Sequence, residues 1–256
     1  MGIQKNKMKK IKKALISVSN KSNLRKILSV LNHHKIEIIS SGGTYKKIKK
    51  LKFKCTEVSE YTKSPEILHG RVKTLHPKIY GGILSKRNIK SHKKDLLKNN
   101  FSEIDLVIVN FYPFEEILKK TKKHRKIIEN IDIGGPAMVR AAAKNYNDVV
   151  VITNPKQYDG LLQELKQHNG KTSLIFREDM SEIAFSETAY YDSVISNYFN
   201  KFKKNSFPQK KIMSANLIEK LRYGENPHQE SGIYSREKSL DIHQLHGKKL
   251  SFNNYN

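Results

Sequence analysis

Apolar residues fall into short dense blocks along this chain, separated by stretches where they recur every three or four positions. Ala14-Leu15-Ile16-Ser17-Val18-Ser19 is nearly continuous and predicts a strand buried on both faces. Ser22 to Leu31 places Leu24, Ile27, Leu28 and Leu31 on one helical face, with Ser22 predicted as its N-cap. Ile36 to Ile39 predicts a second strand, running into Gly42-Gly43, after which Thr44 opens a short helix. Further on, Ser91 to Asn99 reads as helix and Asp105 to Asn110 as the clearest strand. Ile127 to Ile133 leads into a second Gly-Gly turn, and Pro136 sits well at the start of a helix over Ala137 to Lys144. Val149 to Ile152 predicts one more strand. Tyr158 to His168 and Met180 to Phe199 predict helices.

Strands alternating with helices imply a mostly parallel, doubly wound α/β sheet with helices on both faces. Ligands of such sheets sit outside the carboxyl ends of the strands. Ser17 to Ser19, Ser41 to Thr44 and Asn110 to Tyr112 all fall at those ends, which predicts one shared site. The segment 201–211, rich in lysine and bearing Pro208, reads as a linker. It divides a domain over 1–200 from a remainder, 212–256, too short for a core of ordinary size.

Composition changes this picture little. The 256 residues include 49 Lys and Arg against 24 Asp and Glu, a formal charge of +25. That excess suggests nucleic acid. The lysines are scattered, however, and do not alternate with aromatics as a single-strand groove requires. Drift toward Lys, Asn and Ile explains them, so neither nucleic acid nor membrane is expected as a partner. An anionic substrate would still benefit from the field. One cysteine, Cys55, excludes an internal disulfide and a cysteine metal cluster. Met1 to Lys13 lacks the apolar segment of a secretory signal, and no apolar run approaches membrane-spanning length. A cytoplasmic protein is expected. No His, Asp, Glu or Cys set has metal spacing, so no metal is expected.

The candidate chemistry centres on Gly70-Arg71-Val72-Lys73-Thr74-Leu75-His76-Pro77. Arg offers a planar fork of donors and Lys a compact point charge, so this loop suits an anion. Ser40-Ser41-Gly42-Gly43-Thr44 adds backbone amides at a helix start, and Asp132-Ile133-Gly134-Gly135-Pro136 adds a carboxylate. Each has a plainer reading. Gly42-Gly43 alone is a tight turn, Asp132 a turn cap, Lys144 one solvated lysine among many, and Tyr112 a core aromatic. His76 reads as a structural hydrogen-bonder, and His33 and His34 as surface residues.

Taken in order, Ile16 to Lys21, Ser41 to Thr44, Gly70 to Pro77, Asn110-Phe111-Tyr112-Pro113-Phe114, Ile131 to Gly135 and Arg140 to Asn145 resemble the bifunctional purine biosynthesis family, AICAR transformylase/IMP cyclohydrolase. The resemblance covers the chain from Ala14 onward. It implies a methylglyoxal-synthase-like N-terminal domain that closes FAICAR to IMP and water. It also implies the start of a second, cytidine-deaminase-like α/β domain, the transformylase, which is incomplete here because the family's catalytic Lys-His pair lies beyond Asn256. By resemblance the catalytic positions are Lys73, Tyr112, Asp132 and Lys144. Lys73 and Tyr112 polarise the formyl group, Asp132 moves protons around the departing oxygen, and Lys144 transfers a proton, with Arg71, Lys73 and Lys144 converging. Nucleotide-binding positions are Ser17, Ser19, Asn20, Lys21, Ser41, Gly42, Gly43, Thr44, Arg71, Thr74, Asn110, Ile133 and Gly134. Asn20 stands where many members carry Asp, a change expected to be tolerated. Arg222 and Tyr223 match AICAR-contacting positions and are expected to be a remnant. The cyclohydrolase is expected to need no cofactor, 10-formyltetrahydrofolate being the transformylase co-substrate. A homodimer is expected. Competing readings on the same fold are a phosphate-sensing regulatory module and methylglyoxal synthase itself; charge alone suggests RNA binding.

Overall fold

The structure, a computed structural model, describes residues 7–236 and 245–254. The chain separates into two compact units, Met1–Ala189 and Tyr190–Asn256.

In the first unit the chain runs β1 (Lys9–Lys10), β2 (Lys13–Val18), α1 (Leu24–His33), β3 (Glu37–Ser40), α2 (Gly42–Lys50), β4 (Thr56–Glu57), α3 (Val58–Thr62), α4 (Pro77–Leu84), α5 (Lys90–Lys98), β5 (Leu106–Asn110), α6 (Phe114–Lys120), α7 (His124–Glu129), α8 (Gly134–Lys144), β6 (Val150–Ile152), α9 (Tyr158–Gln167) and β7 (Lys171–Thr172). The helix α10 (Leu174–Phe202) then carries the chain across the unit boundary.

Five strands pair in parallel in the order β4-β3-β2-β5-β6, with Ala14 level with Ile38 and Leu106, and Ser17 level with Val109. Alternation along the strands builds two cores. Ala14, Ile16, Val18, Leu106 and Ile108 pack with Leu24, Ile27, Leu28 and Leu31 of α1 and Leu161 and Leu165 of α9. Leu15, Val107, Val109 and Val151 pack on the other face with Ile79 and Ile83 of α4 and Met138, Val139 and Ala142 of α8. This is the doubly wound parallel sheet that the alternating pattern implies. Each fully buried Leu or Ile contributes about 1.5–3 kcal/mol, so the central strand anchors both layers.

β1 pairs antiparallel with β7. Arg177, fully buried at the start of α10, holds that corner through its guanidinium. It donates to the carbonyls of Tyr146 (2.8 Å), Thr172 (2.5 Å), Lys7 (3.0 Å) and Asn147 (3.2 Å).

Several element starts depart from the sequence reading. Asn23, in the left-handed region at φ 57°, and not Ser22, precedes α1, because Asn20 Oδ1 accepts from Ser22 N–H (2.9 Å) and makes a turn there. α2 begins at Gly42 rather than Thr44. Gly134 and Gly135 form the first turn of α8 instead of a loop before Pro136. Most of Ile127–Ile133 belongs to α7 and the turn after it, and α10 starts six residues before Met180.

In the second unit β8 (Asn216–Lys220) pairs antiparallel with β9 (Gly232–Ser235), with an irregularity between Leu217 and Glu219. Leu221 and Ser251 are buried there, and Arg222 N–H donates to Leu250 O (2.9 Å). Between Phe202 and Asn216 the chain forms no helix or strand.

Candidate active site

The carboxyl ends of β2, β3 and β5 meet at one edge of the sheet, and most of the sequence-predicted residues lie there. Ser19 Oγ donates to Asn110 Oδ1 (2.9 Å) and to Phe111 O (2.6 Å), while Asn20 N–H also donates to Asn110 Oδ1 (2.9 Å). These bonds lock the β2 end to the β5 end. Thr44 Oγ1 accepts from Val18 N–H (3.0 Å) and donates to Val18 O (3.0 Å). The Thr44 side chain is therefore spent on tying α2 to β2, which leaves only its backbone amide for an external acceptor. Ser17, level with Val109, is half-buried behind this edge.

Two ammonium groups close on the first turn of α2. Gly42 has φ +53°, a conformation that costs an L side chain about 1–2 kcal/mol, and a Cβ there would stand 3.6 Å from Lys73 Nζ. A Cβ on Gly43 would stand 4.0 Å from Lys21 Nζ, whose ammonium donates to Val18 O and Ser19 O, both at 3.2 Å. Ser41 precedes the helix in extended backbone and makes no side-chain cap, so the first-turn amides keep their donors for an external acceptor. Free amides, the positive helix end and two ammoniums together form an anion cradle.

Lys73 links the cradle to a second cluster. Its Nζ pairs with Glu66 Oε1 (3.0 Å), and Arg71 grips Glu129 through Nη2–Oε1 (2.5 Å) and Nε–Oε2 (3.3 Å). Leu68 and His69, just before Gly70, both take left-handed backbone at φ 54° and 53°. Such residues cost of order 1–3 kcal/mol each and gather at functional segments. Thr74 is buried, and its Oγ1 lies 2.8 Å from where a Gly134 Cβ would project. Asp132 Oδ1 accepts from Gly135 N–H (2.9 Å), and a Cβ at 135 would collide with that carboxylate. Burial pushes the Asp132 carboxyl up from its ordinary value, opposed by the Gly135 amide. Ile133 is 61% exposed and Tyr112 55% exposed, so Tyr112 is not a core aromatic but an open ring at the site's rim. His76 Nδ1 accepts from Lys78 N–H (3.1 Å) as the N-cap of α4, a structural role.

Lys144 is not brought to this cluster within the chain. It is the last residue of α8, while Asp132 precedes the first, and eleven helical residues at 1.5 Å each separate the two by about 15 Å. Within one chain Lys144 therefore does not join Asp132. Beside Lys144, Asn145 Nδ2 donates to Ile83 O (2.7 Å) and Ser85 O (3.0 Å) at the opposite sheet edge, and Arg140 stacks on Phe185 (5.5 Å). Arg222 and Tyr223 belong to the second unit, where the guanidinium lies 4.8 Å over the ring and donates to its hydroxyl (3.2 Å).

Glu66, Glu129 and the strained pair Leu68–His69 escaped sequence reasoning, because nothing in their spacing ties them to the glycine turns. A roomier groove of about 680 Å³ lies elsewhere, between α1 and α9, lined by Lys26, His33, His34, Asp159 and Lys166 among others. There Lys26 is neutralised by Asp159 at 2.5 Å, so volume alone does not make it the site. Burial, then His33 and Lys10, lowers the His34 pKa. Among the described residues no group of three or more His, Cys, Asp or Glu could hold a metal ion, and no helix is long and apolar enough to cross a membrane.

A doubly wound α/β domain with an anion cradle at its strand ends is the class these features define, and residues 23–137 match the family model of the MGS-like domain. Residues 142–256 match the model of the AICARFT/IMPCHase bienzyme. A bifunctional purine biosynthesis protein PurH of Leptospira biflexa is 48% identical over 249 residues, covering 96% of this chain and 48% of that protein. Its namesake from Bradyrhizobium diazoefficiens is 43% identical over 252 residues, covering 97% and 48%. A solved structure titled as the crystal structure of ForH superposes with a TM-score of 0.66 at 29% identity, covering 74% of this chain and 99% of that one. The chain belongs to the family of these bifunctional purine biosynthesis proteins. It spans about half the length of the curated relatives it matches.

Proposed function

We propose that this chain closes the ring of FAICAR to give IMP and water. The observation that carries this reading is the pairing of two functions at one sheet edge. An anion cradle at Gly42 and Gly43 sits next to a half-buried carboxylate at Asp132, whose pKa is raised, and Lys73 and Thr74 lie between them. Ring closure joins the carboxamide nitrogen to the formyl carbon. One proton leaves the carboxamide nitrogen and a second leaves the formamido nitrogen as its C=N bond forms; both reach the formyl oxygen, which departs as water. In this reading the cradle amides, Lys21, Ser19, Asn20, Ser41, Arg71 and Thr74 bind the 5′-phosphate and ribose. Lys73 and Tyr112 polarise the formyl oxygen, where negative charge develops. Asp132 handles the proton of the departing oxygen, and Asn110, Ile133 and Gly134 border the base.

Arg71 and Lys73 each hold a carboxylate, Glu129 and Glu66, and the substrate anion competes with both. We also propose that the working species is a homodimer and that Lys144 reaches the site from the second copy, since about 15 Å separates it from Asp132 in its own chain. The cyclisation uses no cofactor. The relatives' formyl transfer, with AICAR and 10-formyltetrahydrofolate, is not assigned to this chain; Arg222 and Tyr223 are its AICAR-contact positions. We place the domain limits at 1–200 and 212–256 around a linker at 201–211, and the protein in the reducing cytoplasm.

The test is the absorbance change on adding FAICAR to purified protein. The wild type is expected to turn over, and Lys73→Ala to lose on the order of 10²–10³ in kcat with its fold intact. Near wild-type turnover by Lys73→Ala contradicts the assignment.

A further inference from the structure

Glu66 and Lys73 are brought together by a turn that local preference opposes. Leu68, His69 and Gly70 follow one another in left-handed backbone, at φ 54°, 53° and 88°. Two hydrogen bonds close the turn at its base: Ile67 N–H donates to Val72 O (3.2 Å) and Val72 N–H to Ile67 O (3.4 Å). Non-glycine residues keep such backbone only where their surroundings hold them in it. Here the turn sets the Glu66 carboxylate 3.0 Å from the Lys73 ammonium, across the face of Gly70. A Cβ on Gly70 would collide with Glu66 Oε1 and stand 2.7 Å from Lys73 Cε and 2.9 Å from Lys73 Nζ. Glycine at 70 therefore serves the ion pair as well as the turn.

The ammonium has two unlike neighbours. One is the first turn of α2, where a Gly42 Cβ would be 3.6 Å from Lys73 Nζ. Its free amides are the place assigned to the substrate phosphate. The other is a cleft of about 10 Å³ that Lys73 shares with Glu66, Glu57 and Ser41, room for about one water molecule and not for a phosphate. An ammonium within reach of a bound phosphate is drawn onto it, because unlike charges attract more strongly beside a protein than in bulk water. It has three donors, however. One given to Glu66 resists that pull and leaves the others for the reacting oxygen.

We propose that Glu66 is a positioning residue for the ring closure, its carboxylate restraining the Lys73 ammonium against the phosphate in the cradle and so keeping it for the formyl oxygen. This rests on the role given to Lys73 above. Losing such a restraint has a distinct signature: anion binding tightens while turnover slows. Damage to the fold weakens both.

The test is Glu66→Gln. The Glu66 side chain is 45% exposed, so the change spares the core. Calorimetric titration with IMP should give a Kd about two- to fivefold below the wild type's, the scale of a half-exposed ion pair. In FAICAR turnover kcat should fall about tenfold, with KM no higher than the wild type's. The same substitution placed on Lys73→Ala should leave the IMP Kd of that variant unmoved. A Kd unchanged or raised by Glu66→Gln overturns the proposal, as does an unchanged kcat. A gain in affinity that persists on the Lys73→Ala background also overturns it, since Glu66 would then act on the ligand as a bare charge and not through Lys73. A wild type that fails to cyclise FAICAR defeats the assigned reaction, and the IMP titrations then decide the restraint: a gain that needs Lys73 upholds it, and any other result overturns it.

Discussion

Asp132 is held where a carboxylate is least comfortable. Burial raises its pKa from 3.8, and the Gly135 amide only partly offsets that. A carboxyl with a raised native pKa weakens the fold whenever the pH is above both its native and its unfolded values, because ionising it costs more in the native state. Asp132→Asn keeps the acceptor for Gly135 and removes the charge. It should therefore raise Tm at pH 7, on the order of 2 °C, while abolishing cyclisation. The gain should shrink as pH falls through the native pKa and vanish below the unfolded value. Melting curves across pH check this, and a variant less stable at pH 7 contradicts it. At this scale the glycines and cations were legible in the sequence, since Gly42-Gly43, Lys73 and Thr74 advertise an anion by type and order. The sequence sets Thr44 beside the glycine turn but hides its use: its hydroxyl bonds Val18 on both sides, which no local pattern reveals.

The first turn of α2 is the element on which ligand binding depends. Gly42→Ala must adopt φ +53° with a Cβ 3.6 Å from the Lys73 ammonium. We expect a loss of about 1–2 kcal/mol in stability and a KM for FAICAR raised several-fold more than kcat falls. Steady-state kinetics with a denaturation curve separate the two effects, and an unchanged KM contradicts the cradle. The identities of β2, β3, β5, β6, α1, α5, α8 and α9 were legible because the apolar blocks are fully buried on both sheet faces and the helices are buried on one, whereas the short α4, α6 and α7 carry too few apolar turns to show in the pattern. The starts of α1, α2, α8 and α10 were not legible, because they depend on partners far along the chain or on left-handed backbone. Asn23 precedes α1 at φ 57°, and Arg177 fixes the first turns of α10 by reaching carbonyls of Lys7, Tyr146 and Asn147. Burial lowers the Arg177 pKa to about 10, yet its five donors find enough acceptors to keep it in place.

For the whole molecule, topology decides which parts of the sequence motif can meet. Strand order brings the ends of β2, β3 and β5 together, and an eleven-residue helix sends Lys144 to the other edge. Ordered motifs revealed the family but not this separation, since helix length acts in three dimensions and motif order does not. A homodimer in which Lys144 serves the second copy makes a distinct prediction. Mixing inactive Lys73→Ala with inactive Lys144→Ala, under exchange of subunits, should restore up to about a quarter of wild-type FAICAR turnover, as random pairing leaves one intact site in half of the dimers. No recovery contradicts the service of Lys144 to the second copy. The excess of 49 Lys and Arg over 24 Asp and Glu surrounds all of this with a positive field that draws anions without choosing where they bind. Where they bind is the central claim, and an amide-resolved NMR titration with IMP reads it directly. Saturable shifts are expected in Lys21, Ser41 to Thr44, Arg71 to Thr74 and Gly134. Shifts confined to the α1–α9 groove at Lys26, His33, His34 and Lys166, with the strand-end amides unmoved, would contradict it.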